Sequence, residues 1–404
     1  MNRQKSIEKT VIGLIGAFLF CYYVMLFDFH NLLTVLIGGC ICLLLWFRHQ
    51  KIEVVIGTVL LAVTVLSYYI IRYGFKSALV MGLPYVGIVM GLLGICLSCE
   101  AKRRSDSEKL LYGILFILIL GFSIHGFLNS YMFFAGFCSK NKRNWYDFWL
   151  QVILPATEQV VYFLPVLAAM LPALMYFKNR KLVNLFFLFA SVYFLWFSWI
   201  SNSRMPIFIL PMLMAAQIGL YMILERKHVG AYYQKNKTKL CVMALVILLG
   251  LAAFIIIDNP VMLAIQEKMG RDGGLFGSVR FVAQRKALQQ LFLYPMGGSQ
   301  MDFGRIAYAH NTWLDMANRA GLIPFFAFTL YTGYSIYELI RWLAKKEIPM
   351  ERKLIMAGMY GVFFLYYSAE RGIEGSIHFM TPWFFINGMI HGELLTMNNR
   401  KSVG

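Results

Sequence analysis

Charge is scarce in this chain. Asp, Glu, Lys and Arg make up 14% of its 404 residues, where a soluble domain carries about 25%. That shortage excludes an ordinary soluble globular protein. Acidic groups are the rarest, with 20 against 38 Lys and Arg. Cysteine is present without organisation. Cys21, Cys40, Cys42, Cys138 and Cys241 are scattered, mostly in apolar stretches. Cys96-Leu-Ser-Cys99 is a lone CxxC with no second pair and no thioredoxin-like context, which argues against redox or metal work there. Internal repeats, low-complexity tracts and soluble domains are missing too. So is a cleavable signal peptide: the first apolar segment is long enough to span a membrane and lacks a small-residue cleavage site.

Apolar sequence fills the space. Hydrophobic residues reach 59%, aromatics 16%, and mean hydropathy is +0.62. This composition predicts an all-α polytopic membrane protein, with aromatic belts at its interfaces. A span needs about 20 mostly apolar residues. About twelve stretches qualify: 10–27, 31–47, 54–72, 78–99, 110–135, 152–177, 182–200, 206–224, 240–258, 312–340, 353–369 and 376–396. The whole of 1–404 then reads as a single integral membrane domain.

The positive charges test this count. Place the N-terminus in the cytoplasm. Segments 1–9, 48–53, 100–109, 178–181, 225–239, 341–353 and the C-terminus then face inward and hold roughly two thirds of the 38 Lys and Arg, as the positive-inside bias requires. Both termini are expected in the cytoplasm. The net charge of +18 follows from this topology and calls for no nucleic-acid partner. Most outward loops are short. The exception, 258–311, is a long extracytoplasmic loop with a helical pattern of its own. Ser278 can cap a helix carrying Val279, Val282, Leu288, Leu291 and Phe292, and Pro295-Met-Gly-Gly298 stops it. The expectation is an amphipathic helix lying on the outer membrane surface.

The polar residues that this topology gathers outside are few. Ser203-Arg204 follows an outer turn. Alone, Arg204 reads as an interfacial arginine that snorkels to lipid phosphate. Arg280 opens the loop helix, ahead of Arg285 and Lys286; alone, the trio reads as a basic helix resting on anionic lipid. Two guanidiniums on one side of a membrane can also grip a diphosphate through paired hydrogen bonds, which a lysine does less well. His310-Asn311 closes the loop, and a histidine there can take a proton from a hydroxyl near neutral pH. Asp315 and Arg319, four apart, read as mutually neutralising charges at membrane depth. Glu158, in the outer half of the sixth span, and Glu370, beside Arg371 and Glu374 in the last outer loop, are the alternative bases or sugar-hydroxyl ligands. Arg143-Asn-Trp145-Tyr-Asp147 mixes aromatics and charge as sugar-binding surfaces do, and as membrane interfaces do. No Asp-x-Asp with neighbouring ligands stands in an outer loop, so no metal and no cofactor is expected.

These motifs, in this order and all on the outer side, resemble those of the O-antigen polymerase/O-antigen ligase superfamily, the Wzy-type membrane glycosyltransferases. The resemblance rests on Ser203-Arg204 after a span, Arg280 leading a loop helix, Pro295-Met296-Gly297, then His310-Asn311 with Gly321 beyond. Where the family often has G-x-G after the proline, this chain has Gly297-Gly298-Ser299, and Met205-Pro206 follows the S-R pair. The resemblance implies a GT-C-like fold and a glycosyltransferase of the bacterial cytoplasmic (inner) membrane, its active site facing outward. It would transfer glycan from undecaprenyl diphosphate, with inversion and without metal. As a polymerase it would use another lipid-linked repeat unit as acceptor and make capsule, exopolysaccharide or O-antigen. An O-antigen ligase-type transfer to lipid A-core or protein is the alternative, and a flippase for lipid-linked sugars is a second. The implied catalytic residues are His310, Arg280, Arg204, Glu158 and Glu370. Ser203, Asn311, Arg143, Arg285 and Arg371 would bind substrate. Membrane lipid, a chain-length regulator and a flippase of the same pathway are the partners it points to.

Overall fold

A computed structural model describes residues 2–25, 31–49, 56–80, 83–104, 106–140, 144–177, 179–201, 203, 205–226, 279–304, 306–370 and 377–401. Its helices are α1 (Asn2–Val24), α2 (Asn31–His49), α3 (Ile56–Tyr73), α4 (Phe75–Val80), α5 (Leu83–Lys102) and α6 (Ser107–Phe134). A hairpin of β1 (Asn144–Tyr146) and β2 (Ile153–Pro155) follows, then α7 (Ala156–Gln159), a 3-10 turn at Val160–Tyr162 and α8 (Leu164–Tyr176). Next come α9 (Lys181–Ile200), α10 (Met205–Leu224), α11 (Val279–Gln290), α12 (Thr312–Ala320), α13 (Leu322–Leu343), α14 (Met350–Ala369) and α15 (Ile377–Lys401).

Six stretches among the described residues are long and apolar enough to cross a membrane: Ile56–Tyr73, Pro84–Lys102, Ser107–Phe134, Ala156–Tyr176, Lys181–Ile200 and Met205–Leu224. The expected span 240–258 lies outside the described residues. Elsewhere among the described residues helix stands where the hydropathy placed it, with three differences, the first being that the stretch 78–99 begins in α4 and continues in α5. The stretch 312–340 is two helices parted at Gly321. The stretch 152–177 opens with a β-strand and a 3-10 turn before α8 begins.

The bundle is tied most closely where α5 meets α15. A Cβ on Gly388 would lie 2.1 Å from the carbonyl oxygen of Gly91, so only glycine lets these backbones touch. Small residues serve helix association this way when apolar surface alone gives no drive for it. Polar locks close both ends. At one end Arg352, fully buried, donates to Glu393 Oε1 at 2.9 Å and to Glu108 Oε1 at 3.3 Å. Lys102 joins the same two carboxylates at 3.3 and 3.6 Å, so α5, α6, α14 and α15 share one network.

At the other end, the hairpin packs inward. Trp145 and Asp147 are fully buried, so they form no sugar-binding surface; Arg143, beside them, lies outside the described residues. His125 Nε2 meets Asp147 Oδ2 at 2.8 Å, and Nδ1 meets the Val24 carbonyl at 2.8 Å. Asn129 donates to the same carboxylate oxygen at 2.9 Å, and the backbone N–H groups of Trp149 and Leu150 donate to the other at 3.1 Å each. The Tyr162 ring stacks on His125 at 4.0 Å. Burial pushes the Asp147 carboxyl up, but the hydrogen bond and charge of His125, with Leu150 and Asn129, outweigh it and hold the group below its ordinary 3.8. A carboxyl depressed in the folded state stabilises above its ordinary range and loses that contribution as pH falls through the depressed value. Asp147→Asn is expected to cost about 3 kcal/mol at neutral pH, because it leaves half of a buried pair. The thermal midpoint of detergent-purified protein should drop accordingly, and the gap from wild type should close only in acid below the carboxylate range. An unchanged midpoint at pH 7 would refute this.

Candidate functional site

The hairpin end also carries the largest gathering of the residues expected to act. Its foundation is the start of α12. Asn311 caps that helix, its side-chain oxygen accepting from Leu314 N at 3.2 Å. Asp315 in the first turn accepts from the N–H groups of Ala309 and Asn311 at 2.6 and 3.1 Å. Those four residues form a capping turn, and His310 stands in it at φ 52°, a left-handed conformation that few non-glycine residues adopt. The turn is clamped to the end of α14: Thr312 Oγ1 donates to the Glu370 carbonyl at 2.9 Å, and Asn311 Nδ2 to the Ser368 carbonyl at 3.3 Å.

Glu370 is the residue both motifs reach. Its side chain is only 3% exposed. One oxygen, Oε2, lies 3.2 Å from His310 Nδ1. The other, Oε1, lies 2.9 Å from Arg280 Nη1, which donates its directed hydrogen bond to the Ala369 carbonyl at 2.9 Å. Arg280 stays 40% exposed and His310 15%. The Tyr308 ring sits 4.6 Å from the His310 ring, and Gln284 Nε2 donates to the His310 carbonyl at 3.3 Å.

Helix α11 delivers Arg280 by an unexpected face. Ala283, Ala287 and, just beyond the helix, Leu291 are buried, against Ala309, Leu314 and Ala317. The larger apolar residues Phe281, Val282, Leu288 and Phe292 are exposed. The packed stripe is therefore made of alanines, which let α11 approach α12 closely. Arg280 lies three residues before Ala283 and shares its face. Arg285 is exposed, about 140° around the helix from Arg280, and does not join the site.

The glycine motif closes this unit mainly through its backbone. Leu322 N donates to Pro295 O at 2.9 Å, Gly298 N to Arg319 O at 3.2 Å, and Ser299 N to Asn318 O at 2.8 Å. Arg319 also donates to Ser299 Oγ at 2.9 Å. Asp315 and Arg319 thus serve the turn and the strap, roles that four-residue spacing does not reveal. Gly321, at φ 83°, breaks the expected span so that Pro295 can dock against it.

Other expected residues stand apart. Ser203 is buried beyond the end of α9, its N–H donating to Ser198 O at 2.9 Å, and its Oγ has no hydrogen-bond partner among the described residues. Glu158 is buried on α7, its carbonyl accepting from Tyr366, one turn before Glu370, at 3.4 Å. Arg204, Arg143 and Arg371 lie outside the described residues. Among the described residues no group of three or more His, Cys, Asp or Glu is placed to hold a metal ion. Tyr308, Gln284 and Thr312 were not singled out by sequence, and no motif marks them. No protein-family model matches this chain, and no curated protein does.

Proposed function

We propose that the chain is a polymerase of bacterial surface polysaccharide, transferring glycan from undecaprenyl diphosphate to the sugar of another lipid-linked repeat unit. The observation that carries this reading is the meeting of Arg280, Glu370 and His310, from distant parts of the sequence, at one end of an apolar helical bundle. The reading sets about twelve spans in the cytoplasmic membrane, both termini inside and this end facing outward. The positive-inside distribution supports that orientation.

The chemistry follows from the geometry. Glu370 occupies His310 Nδ1, so Nε2 is the nitrogen left for an acceptor hydroxyl. A carboxylate behind an imidazole fixes its orientation and stabilises the imidazolium that forms. The acceptor oxygen attacks the anomeric carbon as its proton passes to His310 Nε2. The bond from that carbon to the diphosphate oxygen breaks, and undecaprenyl diphosphate leaves with the electron pair. Attack from the opposite face inverts the centre. Arg280, with Arg204, neutralises the departing diphosphate. Glu370 is thereby His310's partner rather than a substitute base, and Glu158, buried on α7, stands apart from the pair.

Two guanidiniums in this role make a divalent ion unnecessary. Elongation of a lipid-diphosphate-linked repeat unit by purified protein is expected to persist in excess EDTA. Activity that vanishes and returns with Mg²⁺ or Mn²⁺ would sink the role given to the arginines. Glycan that crosses the bilayer without a new glycosidic bond would sink the enzyme reading itself.

A further inference from the structure

Helices α1 and α6 touch at Gly121, where an added Cβ would lie 2.7 Å from Tyr23 Cβ. About two turns earlier in α6 stands Gly113. A Cβ there would meet nothing within 4 Å among the described residues, and neither would one on Gly13 of α1. Glycine in a spanning helix ordinarily serves close approach; these two keep space open instead. They line a cavity of about 500 Å³, walled also by Leu45 of α2 and Leu97 of α5. Gly13 and Ala17 on its wall are exposed, so it opens to the surface of the bundle. Its lining runs from Val11 to Phe20 along α1, about 14 Å of helix rise. One leaflet of bilayer hydrocarbon is about 15 Å deep.

Two charged residues belong to the lining, Glu100 and Lys109, one on each side of the turn that joins α5 and α6. Glu100 is buried and meets Arg104 at 3.7 Å. Lys102, in the same turn, holds Glu108 and Glu393. Lys109 is exposed and has no ion pair among the described residues. The lining therefore offers one unmatched positive charge beside an otherwise apolar space. Water does not fill an apolar cavity of this kind. A free anion would satisfy the lysine and leave the cavity empty, and a neutral apolar molecule would do the reverse. A phospholipid satisfies both. A headgroup that also carries an ammonium would set it beside Lys109 and Arg104, so the charge favours a lipid of net negative charge. We infer that this cavity takes one acyl chain of a single anionic phospholipid, whose phosphate rests on Lys109. Basic pockets between spanning helices bind such headgroups at the cytoplasmic side, where the topology proposed above puts this turn. The volume lies within the roughly 300–1,000 Å³ of pockets that bury a small ligand. The lipid would fill the gap between α1 and α6 where the helices do not reach each other. This site is independent of the transfer chemistry proposed above.

The test uses the whole protein, purified and delipidated in detergent, with phosphatidylglycerol or phosphatidylethanolamine of the same acyl chains added to the micelles. A lipid that binds only the folded state raises the melting midpoint in a saturable way. The expected result is a midpoint several degrees higher with phosphatidylglycerol than with phosphatidylethanolamine, and one phosphatidylglycerol retained per chain in native mass spectrometry. Lys109→Gln should bind that lipid about fivefold more weakly. Gly113→Leu puts a side chain into open space, so the protein should fold and retain no lipid; the wild-type and Lys109→Gln measurements serve if it does not fold. Equal midpoints with the two lipids would overturn the inference, as would unchanged affinity in Lys109→Gln. Retention of phosphatidylglycerol by folded Gly113→Leu would also overturn it, and so would inorganic phosphate that raises the midpoint as much as the lipid does.

Discussion

Glu370→Gln is expected to lower kcat for glycan transfer by about 100-fold while changing KM for the lipid-linked donor less than threefold. Glutamine keeps the shape but removes the charge that meets His310 Nδ1 at 3.2 Å and Arg280 at 2.9 Å. General-base catalysis contributes about 10² to 10⁴ in rate, and a misoriented imidazole loses much of that. KM should hold, because Glu370 is buried and turned toward its two partners rather than outward. His310→Ala should cost about 10³, at the upper part of the same range. Both are measured on protein matched for folded amount by fluorescence-detected gel filtration. A Glu370→Gln enzyme with unchanged kcat and raised KM would make the carboxylate a direct sugar ligand and remove it from the proton path.

Gly321→Ala is expected to be among the most damaging single-methyl additions in the chain. The new Cβ would stand 2.2 Å from Pro295 O and 2.8 Å from the Met296 carbonyl carbon. Backbone at φ 83°, ψ −165° is itself a conformation that L side chains avoid. Strain and overlap together should cost about 3 kcal/mol or more. The strap of 295–299 would then lift from α12 and expose the loop to protease. Gly333→Ala is the control: it sits within α13, nothing lies within 4 Å of its Cβ position, and alanine suits a helix interior better. The pair should differ in both melting temperature and rate of loop cleavage. Equal behaviour would show that the 295–321 contact is dispensable.

Hydropathy located the helices, because a long apolar run can satisfy its backbone in lipid only as a helix. It passed over the break at Gly321, since the residues beyond it are as apolar as a span should be. The signal was the glycine itself, whose partner, Pro295, lies in a separate motif. The hairpin was invisible for a different reason: its strands are three residues each, too short for a period of two to register. Arg280, His310, Asn311 and Glu370 were all legible as candidates, but not the pairing that makes Glu370 the hub. Contacts across 60 and 89 residues of chain leave no local pattern.

A guanidinium that already holds a carboxylate shows little net charge to a passing anion. Chloride or free phosphate reaching Arg280 must evict Glu370 from a contact of 2.9 Å. A ligand wins that exchange only by bringing more negative charge than one carboxylate, or an anchor that keeps it nearby. The resident counter-ion therefore sets an entry threshold. Discrimination between a membrane-tethered polyanion and the salts of the medium would then arise from competition within the protein itself, before any pocket shape is consulted.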